Sequence, residues 1–241
     1  MTLWLRSLAF NVLFVLSTSL ICILWLPTLF MPIRVVYVGF KAWAYATAFL
    51  LWLCLGVRHQ FLGTPPPCGQ PALVAGKHQS AWETITLALV LDRPAFVLKR
   101  ELAWIPVLGW YMVKMRMVPI DRSRGSRALR RMLRAAKRAK DDGRTMVIFP
   151  EGTRVAVGKT GAYQSGIAAL YRHLDLPVTP LALNSGLTWG RKAFVKRPGM
   201  ISAKFLTPIP PGKPKAEFLA ALEQVIEAET AQLVNEERAR R

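Results

Sequence analysis

His78 and Glu83 are the residues of this 241-residue chain best suited to chemistry, and they lie in the run KHQSAWE that begins at residue 77. A neutral imidazole that is oriented by a carboxylate can take a proton from a hydroxyl near neutral pH. On one ideal helix these side chains would point about 140° apart, because a turn holds about 3.6 residues. We therefore expect His78 in a turn and Glu83 in the first turn of the next helix. The same spacing also fits an exposed loop histidine beside an unrelated glutamate.

A second charged cluster, FPEGTR at residues 149–154, follows a strand-like apolar run that begins at Thr145. Pro150 has no N–H and ends strand pairing, and Gly152 permits backbone conformations that other residues avoid. Glu151 and Arg154 would then lie at the carboxyl end of a strand, where open α/β sheets place their sites.

Two further segments have a related form. The run VPIDR ends in the charged pair Asp121 and Arg122, and the apolar run at residues 176–183 contains two prolines, Pro177 and Pro180. Each segment alone also fits the ordinary end of a strand followed by a loop. Four such clusters in this order are more than ordinary strand ends would give.

These four blocks resemble the 1-acylglycerol-3-phosphate acyltransferase family of glycerolipid acyltransferases, over roughly Ala72 to Pro210. His78 and Glu83 are similar to the family's His-x4-acid block, and residues 149–154 to its most specific block. The segment KREL at 99–102, followed by Pro106 and Gly109, resembles the family's stretch between the first two blocks. The family usually has Asp where this chain has Glu83, and often Asn where it has Lys77.

The resemblance implies direct transfer of an acyl group from a thioester to the sn-2 hydroxyl of lysophosphatidic acid, with His78 as general base and Glu83 as its orienting acid. It also implies a substrate-binding set that grips the acceptor's phosphate and shapes the site: Arg122, Arg154, Glu151, Gly152, Thr153, Pro180 and, more weakly, Lys99 and Arg100. Guanidinium groups suit the phosphate because each can bind two of its oxygens. The co-substrate would be acyl-CoA or acyl carrier protein, and the acceptor could also be another lysolipid or glycerol 3-phosphate.

The front of the chain is unusually apolar. The 27 residues between Arg6 and Arg34 carry no charge, which exceeds the ~20 needed to cross a bilayer. A second uncharged run, Ala42–Val57, has 16 residues and is marginal for crossing. Two crossings would place Arg34 and Lys41 in a translocated loop, against the tendency of basic residues to stay cytoplasmic. We therefore favour a membrane hairpin within one leaflet, with the rest of the chain on the cytoplasmic face of what would be a bacterial inner membrane.

The formal net charge is +19, and residues 122–144 supply +8 of it. This stretch reads as a helix over Arg127–Lys140 with one apolar stripe and, on another face, five arginines: Arg127, Arg130, Arg131, Arg134 and Arg138. Five unmatched arginines indicate an anionic partner, which could be lipid headgroups, an acidic acyl carrier protein or nucleic acid. The apolar front favours the first two, and nucleic acid is not expected.

The remainder predicts an α/β fold with one mainly parallel sheet layered with helices, preceded by the two-helix membrane hairpin. We divide the chain into residues 1–58 for the hairpin and 59–241 for the α/β domain. The predicted strands are Ala72–Ala75, Ala95–Leu98, Met117–Ile120, Thr145–Phe149, Val178–Leu183 and Met200–Phe205. The predicted helices are Trp82–Leu91, Arg127–Lys140, Gly166–Leu174 and Lys215–Glu237.

Other function classes have weaker support. The three cysteines fit neither a disulfide framework nor a metal site, and no metal or resident cofactor is expected. Glycine-rich nucleotide-binding motifs are absent from the sequence. The non-enzyme alternative is a membrane-anchored basic module that binds anionic lipid or nucleic acid, and such a module would need neither His78 nor the turn at residues 149–154.

Overall fold

A computed structural model describes residues 2–121 and 125–240. The described helices are α1 (Leu3–Leu24), α2 (Ile33–Leu55), α3 (Trp82–Thr86), α4 (Leu108–Lys114), α5 (Gly125–Asp141), α6 (Ser165–Leu174) and α7 (Lys215–Ala239). The strands are β1 (Val57–Leu62), β2 (Ala72–Gly76), β3 (Ala95–Lys99), β4 (Val118–Ile120), β5 (Thr145–Ile148), β6 (Val178–Leu183) and β7 (Gly199–Phe205). Short 3₁₀ helices lie at Leu26–Phe30, Leu87–Leu89, Arg100–Trp104 and Ser185–Leu187.

The strands form a seven-stranded sheet in the order β1-β7-β6-β2-β5-β3-β4. Neighbouring strands are parallel except for β6 and β7, which are antiparallel. The predicted α/β class with a mainly parallel sheet is therefore confirmed. Each of the six predicted strands is present, with ends that differ from the prediction by at most one residue.

The sheet separates two apolar cores. Adjacent residues of β2 point to opposite faces, so Leu73 packs against α5, α6 and α7 while Val74 packs towards α1 and α2. Met132 and Phe218 belong to the first core, and Phe10 belongs to the second. The sheet is thus covered on both faces, as parallel sheets require.

The first two helices form an antiparallel hairpin. The Arg6 side chain donates to the carbonyl of Cys54 at 2.7 Å, and near the other end the Trp43 indole donates to the Thr18 hydroxyl at 2.8 Å. The Trp25 ring packs directly on the backbone of α2, since a Cβ at Gly39 would lie only 2.3 Å from it. Both helices are long and apolar enough to cross a bilayer.

The structure differs from the local expectations in several places. The predicted helix Trp82–Leu91 was wrong in extent, because it is a single α-helical turn, α3, followed by a 3₁₀ helix. Helix α2 begins nine residues before the uncharged run Ala42–Val57, so it contains both Arg34 and Lys41. Strand β1 and helix α4 were not predicted, and β1 spans the division between residues 58 and 59, which stays a prediction.

Candidate active site

The carboxyl ends of five parallel strands lie at one edge of the sheet. Strand β2 leads into His78, β5 leads into the turn at residues 149–154, and β6 leads into Ser185. Because parallel strands end at the same edge, segments far apart in the sequence supply side chains to one place.

His78 and Glu83 are in direct contact. The Nδ1 atom of His78 lies 2.8 Å from Oε1 of Glu83, whose side chain is fully buried. Oε1 also accepts the backbone N–H groups of Gln79 and Ser80, and Oε2 accepts the hydroxyl of Ser185 at 2.8 Å. Four donors thus hold the carboxylate, so Nδ1 is the protonated nitrogen and Nε2 remains to accept a proton. This is the predicted arrangement of a turn followed by a helix.

The His78 ring is also fixed from its face. The Phe149 ring stacks on it, with centroids 4.1 Å apart and planes 16° apart. The N–H of Val155 donates to the carbonyl of His78 at 2.8 Å, which ties the histidine loop to the end of the 149–154 turn. Gly152 closes that turn at φ +69° and donates to the carbonyl of Phe149. An imidazole held in this way has a fixed orientation, which proton transfer by a general base would require.

A buried charge cluster lies beneath this loop. The ammonium of Lys77 is 2.7 Å from Glu151 and 2.8 Å from Glu227 of α7. Glu151 also accepts the N–H groups of His78 and Gly161. Tyr163 donates to Glu227, and burial together with the Glu227 charge holds the pKa of the phenol above its ordinary value, so it remains a donor. The cluster therefore links β2, the 149–154 turn and the C-terminal helix.

A cavity of about 1210 Å³ opens beside His78, between the sheet edge and the hairpin. Its apolar wall comes partly from α1 and α2, which contribute Ile21, Cys22, Trp25, Val36, Gly39, Phe40 and Trp43. Its polar and cationic lining includes Lys99, Arg154, Arg191 and Lys192. The site therefore places an oriented imidazole beside a cavity with an apolar wall and a charged lining, in which these four cations accompany the carboxylates of Glu101 and Asp121.

The structure gathers some of the predicted binding residues and not others. Gly152, Thr153, Arg154 and Lys99 line the cavity with His78. The other predicted residues that the structure describes do not line it: Glu151 is bonded to Lys77, Arg100 pairs with Asp121 at 3.0 Å, and Pro180 is buried in β6, where its carbonyl accepts the N–H of Leu206. Arg122 lies outside the described residues, so its assignment stays a prediction.

Sequence reasoning missed several residues of the site. Ser185 binds the buried carboxylate, Phe149 stacks on the imidazole, and Arg191 and Lys192 add charge to the cavity. Ser185 follows the end of β6, and this position at the end of an apolar strand was the signal available. Nothing local marks Glu227, because its partner Lys77 lies 150 residues away.

The other two histidines have different surroundings. His59 lies on β1 against the Trp82 ring, and burial lowers its pKa, so it packs as a neutral ring. His173 is exposed on α6. Among the three, His78 is the one that combines a carboxylate partner with a cavity.

Known proteins resemble both the sequence and the fold. The 1-acyl-sn-glycerol-3-phosphate acyltransferase of Pseudomonas aeruginosa is 36% identical over 156 residues, which are 64% of this chain and 61% of that protein. The enzyme of the same name from Limnanthes alba is 32% identical over 114 residues, 47% of this chain and 41% of its own length. These matches therefore span less than two thirds of either relative.

The fold is similar to the crystal structure of the 1-acyl-sn-glycerophosphate (LPA) acyltransferase PlsC from Thermotoga maritima. The TM-score is 0.81 at 21% identity, covering 96% of this chain and 98% of that one. The similarity includes the hairpin as well as the sheet, since it spans nearly the whole chain.

The acyltransferase family model matches residues 58–184, more than half of the chain. That range contains the His78–Glu83 pair, the 149–154 turn and the strands that position them. The chain belongs to the acyltransferase family.

Proposed function

We propose that this protein transfers a fatty acyl group from an acyl thioester to the sn-2 hydroxyl of 1-acylglycerol 3-phosphate at a membrane, which gives phosphatidic acid. The observation that carries the proposal is the buried Glu83 carboxylate on Nδ1 of His78, beside a cavity lined by apolar side chains of the hairpin and by cations that include Arg154. The names of the Pseudomonas and Limnanthes relatives agree with this activity.

The chemistry needs no covalent intermediate on the protein. Nε2 of His78 removes the proton from the acceptor hydroxyl as its oxygen bonds to the thioester carbonyl carbon, and Glu83 stabilises the imidazolium. The tetrahedral adduct then collapses, the C–S bond breaks, and the imidazolium returns its proton to the leaving thiolate. A thioester is already activated, so the reaction requires positioning and proton transfer rather than a nucleophilic side chain.

The cavity supports an amphipathic lipid substrate with an anionic headgroup. Arg154 is the strongest candidate for the acceptor's phosphate, because it lines the cavity and follows the turn that is tied to His78. Acyl chains fit the apolar wall formed by the hairpin. The donor is acyl-CoA or acyl carrier protein, both of which present the same thioester.

Membrane association is supported by the hairpin. Many large side chains of α1 and α2 are exposed, including Leu16, Leu24, Phe49 and Trp52. The opposite side of α2 packs against the α/β domain from Val36 to Leu55. A helix covered lengthwise by protein cannot be surrounded by lipid, so we place the hairpin in one leaflet, with the basic domain on the cytoplasmic face.

The test is thioester cleavage by the purified full chain, measured as free thiol, with lysophosphatidic acid as acceptor. We expect His78→Ala to lower kcat by about 10²- to 10⁴-fold, the usual cost of losing a general base. His173→Ala, an exposed histidine, is the matched control and should retain full activity. Equal activity of folded wild-type and His78→Ala proteins would refute the catalytic assignment.

A second variant tests the acceptor. Arg154→Ala should raise the KM for lysophosphatidic acid far more than that for the thioester, whereas Arg172→Ala, exposed on α6, should change neither. Equal effects of Arg154→Ala on both substrates would remove its phosphate role. Turnover only with a different lysolipid or with glycerol 3-phosphate would replace the proposed acceptor and keep the proton-transfer chemistry.

A further inference from the structure

Five large apolar side chains are exposed on the segment between β3 and β4. They are Leu102, Trp104, Ile105, Trp110 and Val113, and we call them the apolar ridge. Trp104 and Val113 are 66% and 68% exposed, far more than soluble proteins usually leave uncovered in one place. Of these five residues, only Leu102 lines the cavity of the proposed active site. The exposure of the other four therefore has a different explanation.

The segment that carries the ridge is closely packed. A Cβ at Gly109 would lie 2.1 Å from the carbonyl oxygen of Ala103, so this glycine lets α4 pack directly on the Arg100–Trp104 helix. Val107 immediately precedes α4 at φ +64°, a conformation that a β-branched residue rarely adopts. Close packing of α4 on the Arg100–Trp104 helix thus fixes the segment that carries the ridge.

The ridge is continuous with the hairpin. The Tyr111 hydroxyl of α4 donates to the carbonyl of Cys22 at the end of α1 at 2.8 Å. The neighbouring hairpin turn exposes Phe30 and Met31, and α4 contacts that turn. One apolar surface therefore extends from the hairpin across its turn and onto α4.

The five arginines of α5, which we call the arginine face, border the ridge on its other side. A groove of about 880 Å³ between α4 and α5 is lined by Val113 together with Arg131, Arg134 and Arg138. A second groove of about 390 Å³ is lined by Arg127 and Arg130. Within residues 2–121 and 125–240, none of the five arginines forms an ion pair, and the aspartates lining the grooves, Asp142 and Asp121, pair with Arg116 and Arg100.

We propose that the apolar ridge and the arginine face form a second membrane contact, in which the ridge enters the headgroup boundary and the grooves take the phosphates of anionic lipids. This rests on the membrane placement in the proposed function. Tryptophans beside cations are the residues that favour this boundary. Continuity with the hairpin favours a lipid surface over an acidic carrier protein, which would meet the arginines but leave the ridge uncovered.

The experiment places an environment-sensitive fluorophore on Val113→Cys in a full chain whose other cysteines are replaced (Cys22→Ala, Cys54→Ala, Cys68→Ser). The matched control carries the label at Val225→Cys, an exposed apolar position on α7. With vesicles containing 30 mol% phosphatidylglycerol, the label at 113 should become brighter and be quenched by lipids with a shallow nitroxide, and the label at 225 should not. A response at neither position, or equally at both, would overturn the proposal.

A separate experiment tests the contribution of the arginine face. The variant with Arg127, Arg131 and Arg134 replaced by Gln should lower the equilibrium constant for docking about 10²-fold on the same vesicles, since each basic residue near an anionic surface contributes roughly fivefold. An unchanged response would refute the arginine face as part of the contact. A response of label 113 to acyl carrier protein but not to vesicles would assign the surface to a protein partner and overturn the lipid assignment.

Thioester cleavage is measured on the same labelled proteins to separate the two proposals. A silent label on a protein that acylates lysophosphatidic acid refutes only the membrane contact. Because Cys22 lines the cavity, the unlabelled wild-type chain is assayed beside the labelled proteins. A responding label together with a wild-type chain that cleaves no thioester refutes only the proposed function.

Discussion

Two clusters of charge lie near the cavity, one beneath the His78 loop and one on α5, and they differ in how their charge is balanced. In the first, the Lys77 ammonium contacts two carboxylates, and Glu83 accepts four hydrogen bonds. In the second, five arginines face outward without a carboxylate partner among the described residues.

The difference separates internal positioning from external recognition. Buried charges are stable only when each is paired, so the first cluster fixes geometry and should be costly to disturb. Exposed, unmatched charges contribute little to folding, and their energy is available to a partner. Substitutions in the first cluster should therefore change stability or kcat, whereas those in the second should change only the response to lipid and salt.

The largest expected effect follows removal of the buried cation. Lys77→Met keeps most of the side-chain volume but leaves Glu151 and Glu227 close together without their ammonium. We expect the free energy of unfolding to fall by about 3–5 kcal/mol, the usual cost of stranding one member of a buried pair. Denaturant unfolding of the purified protein in detergent measures it.

The control for Lys77→Met removes the stranded charges as well. Lys77→Met with Glu151→Gln and Glu227→Gln should recover much of the lost stability, because replacing a whole buried cluster by neutral groups is far less costly than breaking it. If Lys77→Met unfolds at the same denaturant concentration as the wild-type protein, the buried cluster does not stabilise the fold and does not differ in this respect from the arginines of α5.

The next effect concerns the length of the acid beside His78. Glu83→Asp would withdraw the carboxylate by about 1.5 Å, one carbon–carbon bond, so donors now at 2.7–2.8 Å would fall outside hydrogen-bond range. We expect kcat to fall about 10- to 10²-fold, since Nδ1 would lose its partner, while KM changes little because Glu83 does not line the cavity. Glu236→Asp, exposed on α7, is the matched control, and undiminished kcat in Glu83→Asp would show that the longer acid is not required.

A smaller loss of kcat is expected from substitution of Ser185, which was not predicted from the sequence. Ser185→Ala removes the one donor to Oε2 of Glu83 that comes from a distant segment. A hydrogen bond to a charged group contributes about 1.5–3 kcal/mol, and the other three donors to Glu83 remain, so we expect a loss in kcat at the lower end of that range, roughly tenfold, with the fold retained. Ser19→Ala, exposed on α1, provides the control. Unchanged kcat in Ser185→Ala would mean that the two backbone donors alone orient the carboxylate.

The contrast between the clusters also explains what the sequence could predict. The apolar runs ending in proline, glycine or charge predicted six strands, because these signals are local. The His78–Glu83 contact was predictable since the turn and the helix are adjacent in sequence. The exposed arginines of α5 were predictable from helical periodicity.

The remainder depends on long-range packing. Lys77 finds Glu227 across 150 residues, and Ser185 finds Glu83 across 102, so no local pattern marks either pair. Glu151 was expected beside the substrate because the resemblance assigned its block to binding, but a turn at Gly152 and the nearby ammonium hold it beneath the loop. Strand β1 was missed because three polar residues, Arg58, His59 and Gln60, interrupt the apolar pattern of Val57–Leu62, and the strand forms by pairing with β7.

The smallest effect in solution should come from one arginine of α5, and it sharpens the comparison most. Arg134 is exposed and has no ion-pair partner among the described residues, so Arg134→Gln should change the free energy of unfolding by less than about 0.5 kcal/mol. Turnover in neutral detergent micelles should be unchanged for the same reason. On anionic vesicles at low salt, thioester cleavage should fall a few-fold, because one headgroup contact is lost. At about 1 M salt the Debye length shrinks to roughly 3 Å, and the difference from wild type should disappear. A loss that persisted in neutral micelles or in high salt would mean that Arg134 acts inside the protein, as Lys77 does, and the division between the two clusters would no longer hold.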